Sequence, residues 1–479
     1  MSKKKVTKNK IKHTNHRQKR TKKDHPIKNR RRPLVRFIDL FSGLGGIRLG
    51  FEQAFAAHGF ETKCVFTSEI KAAAIRAHEL NFPGEEVQGD ITKIPNAEIP
   101  EFEFLLAGFP CQAFSKAGKQ RGFTDTRGTL FFEVERILED KRPWGFILEN
   151  VKGLVFHDKE KSDDKIGRTL STILEHLEDL GYEVTWKVLP AESFGVPQIR
   201  DRIYIVGTLR DAPISLDDFP VTTSHFSDVM QHGLPTVNSD FTRKLFAHFT
   251  PEQVLGKAIR DKRGGDGNIH SWQIGLRGDV TDEEMRLLNA LLLQRRKHSW
   301  AEIIGIDWQD GMALTTEQIS TFFESDHLQE MLTRLTDLGY LSYEHPKKKV
   351  LVSKKTSEKT SQVYDRIPDE TLPKGYNIVT GRLSFEFSRI FSPNEVVPTV
   401  TAMDMSRMGV VDGAGLRCLT LKEGLGLFGY PETYSLACFE GADSNIDDGY
   451  DVLGNTVCVP VIKAVSERLA VAYEGEQHQ

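Results

Sequence analysis

Apolar residues in the first part of the chain fall in short unbroken runs. Residues 35–41 (VRFIDLF) form the first, which stops at Ser42-Gly43, and residues 63–68 form the second. Others occupy 104–107, 145–148, 183–188 and 202–206. Runs of this length without alternation suit strands buried on both faces. Helical spacing separates most of them, at 47–57, 71–80, 129–138 and 168–180. Strand alternating with helix predicts a doubly wound, mostly parallel sheet. No helical pattern lies between the last two runs, so that edge of the sheet is expected to be antiparallel.

After about Leu216 the alternation fades, and polar residues, Pro and charges dominate to about Met408. Within this stretch, residues 282–352 form a separate helical pattern. Leu287, Leu288, Leu291 and Leu292 start it, and Met331, Leu332 and Leu335 continue it. Gly339, the run Tyr340 to Tyr343 and Lys347 to Lys349 follow. Helices followed by a short hairpin outline a winged helix, though any small helical subdomain fits the same pattern. Helical spacing returns at 419–428 and 457–472. The expected organisation is a basic disordered tail (1–32), a catalytic domain (33–215), a recognition domain (216–408, with the 282–352 insert) and a closing segment (409–479).

Composition changes this picture little. A chain of 479 residues suggests two or three domains. No run is long and apolar enough to span a bilayer. The basic N-terminus has no apolar core behind it, so it does not read as a secretory signal, and a cytoplasmic protein is expected. The five cysteines include no C-x-x-C pair, which argues against a disulfide framework or structural zinc, and no metal site is expected. The net charge of −3 hides an asymmetry: residues 1–36 hold sixteen Lys and Arg against one acid, Asp24. Such an arm either grips nucleic-acid phosphates or is simply solvated. The remainder is acidic, so any DNA cleft must be locally basic.

Four clusters carry chemistry. In Phe41-Ser42-Gly43-Leu44-Gly45-Gly46 the glycines follow a strand and open a helix, where backbone can approach a ligand closely. Glu69 ends the next strand, where an acid can accept from ribose hydroxyls, and Asp90 follows the third unit. Alone this fits a nicotinamide or flavin site equally well. Cys111, in Gly108-Phe109-Pro110-Cys111-Gln112, sits at a strand's carboxyl end, a better place for a nucleophile than for core packing. A basic, glycine-containing loop follows it, with Lys116, Lys119 and Arg121. Glu149, in Glu149-Asn150-Val151, is flanked by Leu148 and Val151. Poor solvation there raises a carboxyl's pKa and keeps a proton available near neutrality. Gln198-Ile199-Arg200-Asp201-Arg202 precedes a strand, and alternation puts both arginines on one face.

Together these clusters closely resemble the cytosine-C5 DNA methyltransferases, in order and approximate spacing. Similar too are residues 127–132 (RGTLFF), 398–401 (PTVT), 429–431 (GYP) and 454–457 (GNTV). The resemblance covers residues 35–208 and 398–469, and its length and motif order are those of stand-alone prokaryotic enzymes paired with restriction endonucleases. It implies an α/β fold: a doubly wound, Rossmann-like S-adenosylmethionine-dependent methyltransferase sheet with a second, smaller DNA-recognition domain. It implies that Cys111 adds to C6 of a cytosine flipped out of double-stranded DNA, that Glu149 serves N3, and that Arg202 and Arg200 donate to the base, to Glu149 or to phosphate. For the cofactor, S-adenosyl-L-methionine, it implies Phe41 and Ile70 on the adenine and Gly43, Gly45 and Gly46 in the turn. Glu69 falls on the ribose and Asp90 on the adenine amine, with Pro110, Leu130, Asn455 and Thr456 at the methionine end. Ser115, Lys119 and Arg121 fall on a lid over the DNA, and Thr399, with Val400, falls at the base-flipping cleft. A monomer acting on nucleoid DNA is expected.

Three alternatives compete. A tRNA cytosine-C5 methyltransferase shares the motifs, but the large 216–408 stretch favours duplex DNA. An NAD- or flavin-dependent oxidoreductase leaves the other three clusters unexplained. A catalytically dead DNA-binding protein does not need Cys111 and Glu149. Sequence specificity is not legible: Arg277, Arg295, Arg296, Lys297, Arg382 and Arg389 are all candidate base readers.

Overall fold

The computed structural model describes residues 32–109, 130–159, 163–209, 214–356, 359–380, 385–441 and 444–477, with backbone alone for 353–356 and 359–363. The elements that position the site begin with β1 (Leu34–Leu40), α1 (Gly46–Ala57), β2 (Glu61–Ser68), α2 (Ala72–Asn81) and β3 (Val87–Gln88). They continue with β4 (Phe104–Ala107), α3 (Leu130–Lys141), β5 (Gly145–Val151), α4 (Arg168–Asp179), β6 (Glu183–Pro190) and β7 (Asp201–Thr208). Among the described residues these strands form a seven-stranded sheet in the order β3-β2-β1-β4-β5-β7-β6. Strands β1 to β5 pair in parallel, whereas β7 runs antiparallel to both neighbours. The reversed edge follows from the direct β6-to-β7 connection, which has no crossover helix to restore direction.

Strand alternation divides the core in two. Phe37, Phe104 and Leu106 point to one face, where Phe51 and Phe55 of α1 and the C-terminal helix Val459–Gln477 cover them. Ile38, Leu105 and Leu148 point to the other, against Val134 and Ile137 of α3 and Leu170, Ile173 and Leu177 of α4. Each fully buried phenylalanine contributes roughly 1.5–3 kcal/mol. The last helix of the chain therefore completes the layer that the first one begins. A Cβ on Gly50 would lie 2.7 Å from Ile462, so α1 and the C-terminal helix approach as closely as glycine allows.

Beyond Leu216, a smaller five-stranded sheet brings together Ala258–Ile259, Asn268–Ile269, Arg389–Phe391, Met408–Asp412 and Gly415–Cys418. Between its strands sits a helical unit with its own apolar cluster, from Trp272 through Leu291 and Leu332 to Ile378. Thr281 caps the helix Asp282–Gln294, and the helix Leu328–Asp337 packs Leu332 and Leu335 inward. The unit extends past Val352. Strand Leu341–Glu344 pairs antiparallel with Gly375–Ile378, and the long hairpin between them is Lys347–Thr356 with Lys359–Pro368. Tyr340 to Tyr343 thus leads into a strand with a distant partner rather than into a short local hairpin.

Candidate active site

A cavity of about 650 Å³ opens at the carboxyl ends of the parallel strands, a size that suits a cofactor-sized ligand. The turn after β1 forms one wall. Phe41, Gly43 and Gly45 all have positive φ, at 55°, 53° and 68°. Phe41 is held there without glycine's freedom, a strain of the order of 1 kcal/mol or more that surrounding structure must fix. Phe41 and Gly43 line the cavity; Gly45 and Gly46 do not. A Cβ on Gly45 would lie 2.9 Å from the Phe82 ring, and one on Gly46 would lie 2.6 Å from the Tyr430 hydroxyl. Both are therefore glycines because of packing.

Glu69 leaves β2 and binds two turns together. Its carboxylate accepts from the backbone N–H groups of Gly43, Ile70 and Lys71, each at 2.8 Å. A carboxylate offers about four acceptor positions, so one remains to face the cavity. Ile70 lies on the rim, 73% exposed. Asp90 accepts from the Thr92 hydroxyl at 2.7 Å and its backbone N–H at 3.1 Å. These bonds hold its carboxyl below the usual range, so it faces the cavity as an ionised acceptor. Leu130, at the start of α3, and Asn455 complete this part of the lining. Asn455 donates to the Asp451 carbonyl at 2.7 Å. Thr456 is buried beneath, its hydroxyl paired with that of Tyr430 at 2.5 Å, and does not line the cavity.

Deeper in, β5 delivers Glu149, which is 8% exposed. Burial raises its pKa, while Arg202 and Arg200 oppose the rise. Arg202 Nε lies 3.1 Å from its carboxylate. The antiparallel pairing of β5 with β7 sets this up, placing Arg202 opposite Val151. Arg200 shares the face of Arg202 but is otherwise employed. It is 3% exposed and donates to the carbonyls of Val400 (3.2 Å), Gly454 (3.3 Å) and Thr456 (2.8 Å). Burial pushes its pKa down to about 10. Arg200 also lines the cavity, yet these carbonyls engage its guanidinium and it pins the C-terminal segment, while Arg202 is the arginine that meets Glu149.

Thr399 does not line the cavity; its exposed hydroxyl donates to the Ile199 carbonyl at 2.5 Å. Pro110, Cys111, Ser115, Lys119 and Arg121 lie outside the described residues. The two described ends of that segment, Phe109 and Leu130, both line the cavity. Lys71, Asn150 and Val452 line it without having been assigned. Asn150 donates to the Phe109 carbonyl at 3.3 Å, and its position inside Glu149-Asn150-Val151 was its only signal. Asp39 also escaped notice. It is buried beside Arg48, and burial pushes its pKa up to about 8.

The pattern of C-5 cytosine-specific DNA methylases matches residues 35–470. The chain belongs to that family. The methylase is 56% identical to the type II methyltransferase M.NlaIV of Neisseria lactamica over 436 residues, 91% of this chain and 98% of that one. M.NgoBV of Neisseria gonorrhoeae matches at the same identity and the same coverage. M.BanI of Aneurinibacillus aneurinilyticus is 40% identical, across 91% of this chain and 95% of that one. The methylase is thus a DNA cytosine-5-methyltransferase, and the oxidoreductase alternative falls away. Among its described residues no helix is long and apolar enough to cross a membrane.

Proposed function

We propose that this methylase modifies C5 of a cytosine flipped out of a specific duplex sequence, through a covalent bond from Cys111 to C6. The observation that carries the reading is the buried Glu149–Arg202 pair in a cavity that is also lined by both described ends of the Cys111 segment. C5 of cytosine is a poor nucleophile. Addition of the Cys111 thiolate to C6, with a proton from Glu149 on N3, turns the ring into an enamine that is nucleophilic at C5. Burial raises the Glu149 pKa, which favours its protonated form above the ordinary carboxyl range, and Arg202 orients its carboxyl. After methylation at C5, loss of the C5 proton expels Cys111 as thiolate. S-adenosylmethionine supplies the methyl group.

The lining fits that cofactor. Phe41, Gly43, Ile70 and Leu130 offer apolar surface and close backbone, and Glu69 and Asp90 are acceptors for hydroxyl and amine groups. The resemblance assigns Asn455 to the methionine end, together with Pro110, which lies outside the described residues. A phosphate-free ligand also suits a lining with three carboxylates. Ser115, Lys119 and Arg121 close over the DNA as a lid, and Thr399 lies at the base-flipping cleft. Residues 216–408 read the sequence. The family match supports DNA over tRNA, and the type II naming of the relatives supports a restriction-modification role; the enzyme is read as a monomer on cytoplasmic nucleoid DNA, protecting it from a partner restriction endonuclease.

Covalent trapping tests the chemistry. Duplex DNA carrying 5-fluorocytosine should form a gel-stable adduct only with S-adenosylmethionine present, and Cys111→Ala should abolish it while retaining DNA affinity. An adduct that survives the substitution removes Cys111 as nucleophile. Bisulfite sequencing of DNA from expressing cells maps the methylated site.

A further inference from the structure

The helical unit between Trp272 and Ile378 presents two surfaces to solvent, and their charges differ. The helix Leu328–Asp337 shows Gln329, Glu330, Thr333, Arg334 and Asp337. Its one cation is occupied, since Arg334 pairs with Glu284 at 2.5 Å and donates to the Asp279 carbonyl at 2.9 Å. The hairpin behaves otherwise. Lys349 stands opposite Arg366, and Leu351 opposite Tyr364. Residues two apart share a face, so these four form one outward surface, and all four are exposed. Lys348, on the other face, is paired with Asp369.

Lys349 lies over the Tyr364 ring at 4.3 Å, and Arg366 donates to the Trp308 carbonyl at 3.3 Å. Among the described residues neither cation has a carboxylate partner. Trp308 is itself partly exposed and stacks on His298, with ring centroids 4.7 Å apart. Cations interleaved with exposed aromatics, on an otherwise acidic body, match the phosphate backbone of a duplex. Two candidate base readers of the unit, Arg295 and Arg296, are less available. Arg295 is buried and bonded to Asn377, and Arg296 pairs with Asp310.

We propose that the hairpin face of Lys349, Leu351, Tyr364 and Arg366 docks on duplex phosphates that flank the target site, and that the helix Leu328–Asp337 stays out of the groove. Lys349 and Arg366 neutralise phosphates, and Tyr364 supplies a hydroxyl and a flat surface against the sugars. Arms of ten residues each rise about 3.3 Å per residue, so the hairpin spans ~33 Å, close to one helical turn of duplex. The proposal rests on the reading of the chain as an enzyme acting on duplex DNA.

The test uses the full-length protein and two DNAs. One is a plasmid fragment that the wild-type protein methylates. The other is a duplex of about one helical turn around the mapped cytosine. For Lys349→Glu with Arg366→Glu, affinity for the fragment should fall and its salt dependence should weaken. Two lost phosphate contacts lower the slope by about 1.8, so wild type should lose roughly tenfold more affinity than the variant between about 50 and 200 mM salt. The rate at saturating DNA and binding to the short duplex should hold, and Thr333→Glu should change nothing. The alanine pair should move binding the same way by a smaller amount. An unchanged salt slope in the double variant, or a loss of affinity confined to Thr333→Glu, overturns the proposal. If the double variant instead alters only association with another protein, the face serves protein docking and the proposal is equally overturned. Absence of any methylation by wild type would strike the underlying reading, a result distinguishable from these.

Discussion

At the carboxyl edge of the large sheet, Phe41, Glu69, Asp90, Glu149 and Arg202 arrive from separate turns and strands yet face one cavity. In the unit from Trp272 to Ile378, apolar side chains close a core of their own, and the polar ones face outward. On the proposed reading, the first region is organised around atoms that must lie near a reacting base. The second offers surface. Chemistry at a fixed point tolerates few residue types, so each strand end carries a recognisable tripeptide. Docking along a polymer tolerates many arrangements of charge, so no short motif marks it.

Substitutions in each region should separate these roles. The largest effect is expected at Glu149. Glu149→Gln should lower kcat by ~10²- to 10⁴-fold with little change in thermal unfolding. The pH profile gives the sign. Because burial raises the Glu149 pKa, the protonated form persists above the ordinary carboxyl range. Activity that needs this proton should be flat below the raised pKa and decline as pH rises through it. Glu149→Gln should remove that limb from the kcat profile; a limb that remains assigns it elsewhere.

Next comes the contrast between the two arginines. Arg200→Ala leaves three carbonyls without their donor and should lower stability by about 3–5 kcal/mol, read as a fall in unfolding temperature. Arg202→Ala should lower kcat and cost less stability than Arg200→Ala, because Glu149 can take up a proton rather than stay buried as an unpaired charge. Equal loss of stability in both would erase the distinction between pin and catalytic partner.

A smaller effect is expected from Leu332→Ala, in the core of the helical unit. The cavity should destabilise that unit by about 2–5 kcal/mol. Hydrogen exchange should show lost protection between Trp272 and Ile378 but not in β5. Turnover of a short duplex should stay close to wild type. A collapse of kcat would show that the two regions are not separable.

The strand ends were legible because buried parallel strands leave unbroken apolar runs, and because Gly, Glu-Asn and Pro-Cys punctuate where those runs stop. The reversed edge was legible from the missing helix between residues 183–188 and 202–206. The two-residue β3 was not, since Val87–Gln88 is too short to leave a pattern. The reach of the helical unit to Ile378 was hidden for another reason: Leu341–Glu344 finds its partner about thirty residues on, beyond the hairpin. Arg295 looked like a base reader because charge was the only cue. Its burial against Asn377 depends on the fold around it.

By itself the sequence determined the class of sheet, the order of its elements and the chemical types gathered at its carboxyl edge, because local periodicity and short motifs survive without neighbours. Tertiary structure alone decided which of two adjacent arginines reaches Glu149 and which glycines serve packing. It alone exposed one face of the hairpin and occupied the cation of the nearby helix. Each of those outcomes is set by a partner distant in the chain: Val400 and Thr456 for Arg200, Phe82 for Gly45, Tyr430 for Gly46 and Glu284 for Arg334. A side chain's role follows from what surrounds it, and only folding assembles those surroundings.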